Sequence, residues 1–291
     1  MLAGPAIGAS DFTYHRARTV DEVDDLVARY GGEVRVIAGG TDLLVQIRAG
    51  LRAPAHVVDI ADLGELAGID LVDGRLVVGA SASLWRLSQD PVVAARFRAL
   101  REAALCVGSL QIQSRATLVG NACNASPAAD TSPTLLVYDA VVGVRSPGGR
   151  REVPMEQFWT GPRTTALGVG EWVEYIALVD PGKHGSTYEK LGRTRGVDLA
   201  LVGIACVVRD GDVRVACASL GPTAQRLGTV SEVLTTDGSP ANDVLDEALA
   251  ADVTPISDIR ASARYRLAMA RVCVRRAYQR AAARNQEDPR D

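Results

Sequence analysis

The sequence predicts a mixed helix-and-strand protein of two domains. Three observations predict it. The first third alternates short apolar strands with amphipathic helices. Pro181-Gly182 and Gly185 then interrupt the chain after a clear strand. Beyond that break, one strand pair is followed only by helical patterning. The length, 291 residues, suits one large or two medium domains and can bury a core without staples.

The N-terminal stretch reads as βαβ. Thr19 is placed to cap a helix, with Glu22 at capping-box spacing, and Gly31-Gly32 ends it. Glu33–Ala38 is a short strand, Leu43–Ala49 a helical segment, and His56–Ile60 a second strand. Asp73-Gly74 between two apolar runs is a hairpin signal. Val92–Ala104 reads as one amphipathic helix, and Gly108–Asp130 as an irregular polar stretch. Leu135–Val144 reads as strand broken at Asp139-Ala140, and Trp172–Val179 as strand. Pro147-Gly148-Gly149 is a turn and Phe158–Gly170 is irregular. Leu199–Val208 and Val213–Leu220 form a sheet pair joined by Asp210-Gly211. Helices follow from Glu232 and Asn242, and a long Arg-studded one from Asp258 to Arg284 closes the chain. The tail after Asn285 reads as disordered.

Composition excludes several classes. A formal charge of −3 argues against nucleic acid as the main partner, because phosphate binding depends on Lys and Arg charge. The longest apolar run, Leu199–Val208, is half of the roughly 20 residues a membrane helix needs. Met1–Ser10 lacks the basic segment of a signal peptide. Cys106, Cys123, Cys206, Cys217 and Cys273 are scattered with no C-x-x-C, which fits reduced thiols in a cytoplasmic protein. His15, His56 and His184 have no second ligand at metal spacing, so no zinc or iron–sulfur site is expected in this chain. Arginine supplies 30 of the 32 basic residues; Lys183 and Lys190 are the only lysines.

Two stretches carry chemistry. In Val36–Leu43 (VIAGGTDL) a strand runs into two glycines, Thr41, Asp42 and a helical segment. Glycines admit positive φ and close ligand approach, and successive amides there form an anion nest. The bland alternative is a tight turn with Thr41 or Asp42 as N-cap. Gln111–Asp130 shows neither strand nor helix period and is dense in small residues and amides: Ser114, Thr117, Gly120, Asn121, Asn124 and Ser126. Such a stretch in a compact domain is usually functional; a long surface loop is the alternative. Asp130 could take a ribose hydroxyl or cap a helix. Cys106 and Cys123 lie on either side of Thr117–Asn121, either redox-sensitive or small buried hydrophobes.

The segments AGGTDLLVQIRAG, RATLVGNACNASPAADTSP, GPRTTAL, YEKLGRTRGVDLALVG and DIRASARYRLAMARVCVRRA occur in this order. Together they resemble the FAD-binding (medium) subunit of bacterial molybdenum hydroxylases, the family of xanthine dehydrogenase and aerobic carbon monoxide dehydrogenase. The resemblance spans about Asp11 to Arg284. It implies an α+β fold: a two-subdomain FAD-binding domain of the vanillyl-alcohol-oxidase (PCMH) type over 1–182, with subdomains of about 1–60 and 61–182. A C-terminal domain of a small antiparallel sheet and a helical bundle, 183–291, follows.

The resemblance also implies cofactor-binding residues. Ala38, Gly39, Gly40, Thr41 and Asp42 match the first pyrophosphate loop. Thr117, Gly120 and Asn121 match the second, TLVGN here, where the family usually has T-I-G-G-N and Val119 replaces a glycine. Asp130 matches an acidic residue that contacts the cofactor. Val107 and Val173 match apolar positions near the flavin, and Lys190 matches the lysine beside its ring. A lone Lys is ordinarily a solvated surface residue; an ammonium near the flavin would instead raise its potential.

The chain is then expected to hold FAD non-covalently and to pass electrons to NAD or another acceptor. Molybdopterin and [2Fe–2S] clusters would sit only in a large and a small partner subunit, in a dimer of heterotrimers. A stand-alone flavin oxidase or reductase of the same fold, or an FAD-less assembly protein, uses the same residues differently. The arginines of the last helix read as a solvated face or a subunit interface.

Overall fold

A computed structural model describes residues 11–194 and 196–288. The Met1–Ser10 start and the last three residues of the tail lie outside the described residues.

The first unit is a three-stranded parallel sheet. It contains β1 (Thr13–Arg16), α1 (Val20–Tyr30), β2 (Val34–Ile37), α2 (Leu43–Arg48) and β3 (His56–Asp59), in strand order β1-β3-β2. Parallel strands need crossovers, and α1 and α2 supply them. Thr19 Oγ1 accepts from the Glu22 amide at 3.2 Å, as the capping spacing predicts. The Glu22 carboxylate returns to the amide of Arg18, one residue before the cap. Gly31, at φ +52°, ends the helix. β1 carries no apolar alternation, which is why the sequence reading does not single it out.

The second unit is an antiparallel sheet in the order β4-β5-β10-β6-β7. Its strands are β4 (Ile69–Val72), β5 (Arg75–Gly79), β6 (Val141–Ser146), β7 (Gly149–Pro154) and β10 (Trp172–Val179). The small hairpin β8 (Trp159–Gly161) and β9 (Thr164–Thr165) sits beside it. Asp73 and Gly74 both lie at positive φ, as a two-residue hairpin requires.

Between β5 and β6 run α3 (Leu84–Gln89), α4 (Pro91–Arg96), α5 (Arg98–Cys106), α6 (Leu110–Gln113), α7 (Leu118–Cys123) and α8 (Ser132–Val137); α9 (Met155–Phe158) follows β7. Three expectations change here. The single helix Val92–Ala104 is two helices, broken at Phe97 (φ −131°, ψ 50°). The break lets the fully buried Phe97 ring pack edge-on against Tyr138, with centroids 5.1 Å apart. The stretch 108–130 contains α6 and α7, each too short to show a period. Leu135–Val137 is helix, not strand. All six residues of α8 are buried, so it reads as an apolar run without an amphipathic stripe.

The C-terminal part is an antiparallel sheet of β11 (Gly185–Leu191), β12 (Val202–Arg209), β13 (Asp212–Ala218) and β14 (Gln225–Arg226), in that order. On it lie α10 (Gly228–Thr236), α11 (Asn242–Asp252) and α12 (Ala263–Glu287). Ala205, Val207 and Ala216 face the main core, whereas Ile204, Cys206 and Val215 face the helices. Burial on both faces explains the unbroken apolar run of β12.

The last helix starts at Ala263 rather than Asp258. Ser262 caps it through Tyr265 N, and the Asp258 carboxylate accepts from Arg260 and Arg266. Arg266 is 1 % exposed and donates to the Leu201 carbonyl at 2.7 Å. Part of the arginine row therefore pins the helix to its own sheet.

One network joins the first two units. Arg145 of β6 donates to Asp24 (2.7 Å) and Asp21 (2.9 Å) of α1 and to Glu174 of β10 (3.1 Å), and Trp172 Nε1 donates to Asp24 at 2.8 Å. The Asp24 side chain is 16 % exposed and that of Asp21 is 91 %. Removing a largely buried acceptor strands two donors, whereas an exposed ion pair contributes little. Asp24→Ala should therefore cost about 2–3 kcal/mol. Asp21→Ala should cost under about 0.5 kcal/mol. Urea unfolding of the two variants checks this, and equal losses would refute the network's role.

Candidate cofactor site

The first loop leaves β2 at Ala38 and turns through Gly39, Gly40, Thr41 and Asp42 into α2. Gly39 lies directly on the second stretch: a Cβ there would sit 1.9 Å from the Arg115 carbonyl oxygen. Gly40 has φ +70°. Asp42 occupies the N-cap position but makes no side-chain capping bond, so capping does not account for it. The amides of Gly39, Gly40, Thr41 and Asp42 donate to no acceptor among the described residues. Four open amides at a glycine turn suit a polyanion.

The second loop runs alongside. Thr117 is buried and caps α7, its Oγ1 accepting from Gly120 N at 2.9 Å. That amide is therefore committed within the loop. Gly120 itself is exposed. Asn121 Oδ1 accepts from Thr131 Oγ1 at 2.6 Å. Asn124 Oδ1 accepts from Gln46 Nε2 of α2 at 2.8 Å, a second tie between the loops. Val119, which the resemblance sets at a glycine position, packs into the main core.

The third group gathers around Asp130. Lys190 Nζ donates to Asp130 Oδ2 at 2.9 Å and to the Cys106 carbonyl at 3.1 Å. The Tyr188 hydroxyl donates to Asp130 Oδ1 at 2.7 Å. The Lys190 and Asp130 side chains are 14 % and 9 % exposed, so Lys190 is not a solvated surface residue. Burial pushes the Asp130 carboxyl above its ordinary range, against the pull of the Lys190 ammonium and both hydrogen bonds. Burial, with the Asp130 charge, holds the Tyr188 phenol far above the usual tyrosine range. Val107 follows Cys106 at the end of α5, half-buried, and its carbonyl accepts from Gln113. Val173 is buried in β10 within the main core.

Burial raises the Cys106 thiol to about 11 and the Cys123 thiol to about 12. Neither is a thiolate near neutral pH, which favours their role as small hydrophobes.

Sequence reasoning missed Tyr188, Glu102 and Gly203. Tyr188 and Lys190 stand two apart on a strand and share a face, a spacing that could have found Tyr188. Lys190 is paired in register with Gly203, and a Cβ on Gly203 would lie 2.6 Å from the Tyr188 hydroxyl. The glycine makes room for that hydroxyl. Glu102 of α5 accepts from Thr187 Oγ1 and Tyr188 N, both at 2.9 Å; its partners lie far along the chain.

The arrangement fits a dinucleotide: an amide-lined glycine cradle beside a second loop, and a buried acid–lysine pair. Residues 10–178 match the family described as FAD binding domain in molybdopterin dehydrogenase. Residues 186–281 match the CO dehydrogenase flavoprotein C-terminal domain. The chain is 33 % identical to the carbon monoxide dehydrogenase medium chain of Afipia carboxidovorans, over 94 % of this chain and 97 % of that one. It is 33 % identical to the xanthine dehydrogenase FAD-binding subunit of Escherichia coli O157:H7, over 88 % and 90 %. Among solved structures, a carbon monoxide dehydrogenase from Hydrogenophaga pseudoflava superposes with a TM-score of 0.88. Identity there is 31 %, over 94 % of this chain and 98 % of that one. Glycine cradle, acid–lysine pair and whole-chain similarity agree: the chain belongs to the FAD-binding subunits of the molybdenum hydroxylases of the xanthine and carbon monoxide dehydrogenase type, and is an oxidoreductase subunit.

Proposed function

We propose that this subunit holds FAD non-covalently and is the electron outlet of a three-part enzyme. The observation that carries this reading is the apposition of the Gly39-Gly40 turn and the second loop. In this reading Gly39–Asp42 offer amides to the pyrophosphate from one side, with Ala38 leading into the turn. Thr117, Gly120 and Asn121 form the other side. Asp130 accepts from a cofactor hydroxyl with the lone pairs that Tyr188 and Lys190 leave open, while Val107 and Val173 supply apolar contact to the ring.

When bound, the flavin supplies the redox chemistry. The protein binds it, orients it and sets its electrostatics. Lys190 stands ready to stabilise negative charge on the reduced ring; Asp130 partly offsets that charge and holds the ammonium in place. Molybdopterin and [2Fe–2S] clusters belong in this reading to a large and a small partner subunit, in a cytoplasmic dimer of heterotrimers. Electrons leave to NAD or another acceptor. The words "medium chain" and "FAD-binding subunit" in the relatives' names support a multi-subunit setting. Among the described residues no helix is long and apolar enough to cross a membrane. The division into 1–182 and 183–291 is supported by the separate sheet that begins at Gly185.

Purified full-length chain should show flavin absorption at stoichiometric occupancy, as isolated or after reconstitution; a colourless chain that takes up no FAD sinks the proposal. Gly39→Ala should lose FAD, because the added methyl must displace the Arg115 carbonyl. Retention of FAD at wild-type affinity would remove the loop contact from the argument. Pull-down of the tagged chain from its host should recover a cluster-bearing small chain and a molybdenum-bearing large one.

Lys190→Met should lower the flavin potential. A partly buried charge interaction on the order of 1–2 kcal/mol corresponds to about 20–45 mV for a two-electron couple. A redox titration with an unchanged midpoint would remove the electrostatic role of Lys190.

A further inference from the structure

We infer that Glu102 is a positioning residue that sets Lys190 and Asp130 from outside the cofactor site, by clamping the free edge of β11; the inference builds on the FAD reading above. Among the described residues β11 pairs only with β12, so there it is an edge strand, and its outward amides have no strand partner. Tyr188 N–H is one of these. It donates to Glu102 Oε2, which also accepts from Thr187 Oγ1. Glu102 Oε1 accepts from Arg284 Nη2 of α12 at 2.6 Å, and Arg284 Nη1 donates to the Ser186 carbonyl at 2.6 Å. One carboxylate thus joins α5, β11 and α12.

Helix geometry makes this clamp relevant to the site. Glu102 and Cys106 stand one turn apart at the C-terminal end of α5. The first takes the backbone of Tyr188; the carbonyl of the second takes the Lys190 ammonium. α5 thereby holds β11 at two points two residues apart. At those points the strand presents Tyr188 and Lys190 on one face, and these two bind the two oxygens of Asp130. Without Glu102, the edge loses its fixed acceptor, and the β11 face is free to shift relative to Asp130.

The two-lysine composition makes this measurable without any cofactor. Full-length protein is treated with a limiting amine-acylating reagent, and acetylated peptides are quantified by mass spectrometry. Exposed Lys183 is the internal reference, and ion-paired Lys190 is the probe. In the wild type Lys190 should react far more slowly than Lys183. In Glu102→Ala, Lys190 should become several-fold more reactive while Lys183 stays unchanged. Glu102→Gln keeps a carbonyl acceptor for the Tyr188 amide and should restore most of the protection.

With FAD bound, Glu102→Ala should shift the flavin potential in the direction of Lys190→Met, and the double variant should add little to Lys190→Met alone. Lys190 equally protected in folded Glu102→Ala, or as reactive as Lys183 in the wild type, overturns the inference. Should circular dichroism show Glu102→Ala unfolded, Glu102→Asp is read in its place; one methylene shorter, it cannot span Tyr188 N and Arg284 together. A chain that takes up no FAD defeats the FAD reading, and the lysine readout still decides the clamp separately.

Discussion

The ion pair between Lys190 and Asp130 is the contact on which the site's architecture depends. Withdrawing an ammonium and a carboxylate from water costs several kcal/mol per ion unless geometry and added hydrogen bonds offset it. Here the offset is drawn from several elements. Tyr188 fills the second oxygen of Asp130, the Cys106 carbonyl takes another ammonium proton, and Gly203 leaves the volume for the Tyr188 hydroxyl. Two of the polar groups come from the C-terminal sheet and one from the turn after α7. The second loop and that sheet are therefore held to each other by the chemistry of the site itself.

Much of this was legible in the sequence wherever a period or a turn rule operated. The Thr19 cap, the Asp73-Gly74 hairpin, β10 and the β12–β13 pair follow from such rules. Three kinds of feature escaped. A polar edge strand such as β1 has no alternation. A helix buried all round, such as α8, looks like an apolar run. A helix break at a core aromatic, Phe97, preserves the heptad-like pattern on both sides and leaves no Gly or Pro as a marker. In the site, the glycine turn stands out because glycine has a distinct conformational role. Glu102 and Tyr188 did not, because what makes them matter is proximity across 86 residues of chain.

The second loop shows how a departure from a family pattern can be read physically. By the resemblance, Val119 stands where a glycine is expected. In the structure its side chain is 5 % exposed and belongs to the main core, so the added bulk is spent on packing. The neighbouring Gly120 stays exposed, but its amide already serves the Thr117 cap. The Val119 amide, like those of Gly39–Asp42, donates to no acceptor among the described residues, so in the proposed reading both loops keep amides for the anion.

The free edge of β11 ties these points together. An uncovered edge strand is a liability, and proteins blunt it with charge or cover it with another element. Here the cover is α12 and α5, through Arg284, Arg280 and Glu102. Gly185 marks how close α12 also lies on the face of β11: a Cβ there would meet the Ala281 carbonyl oxygen at 1.8 Å. The same edge presents Tyr188 and Lys190 to Asp130. Protection of the edge and alignment of the ion pair therefore use the same contacts, so a side chain that loosens the cover must also loosen the pair.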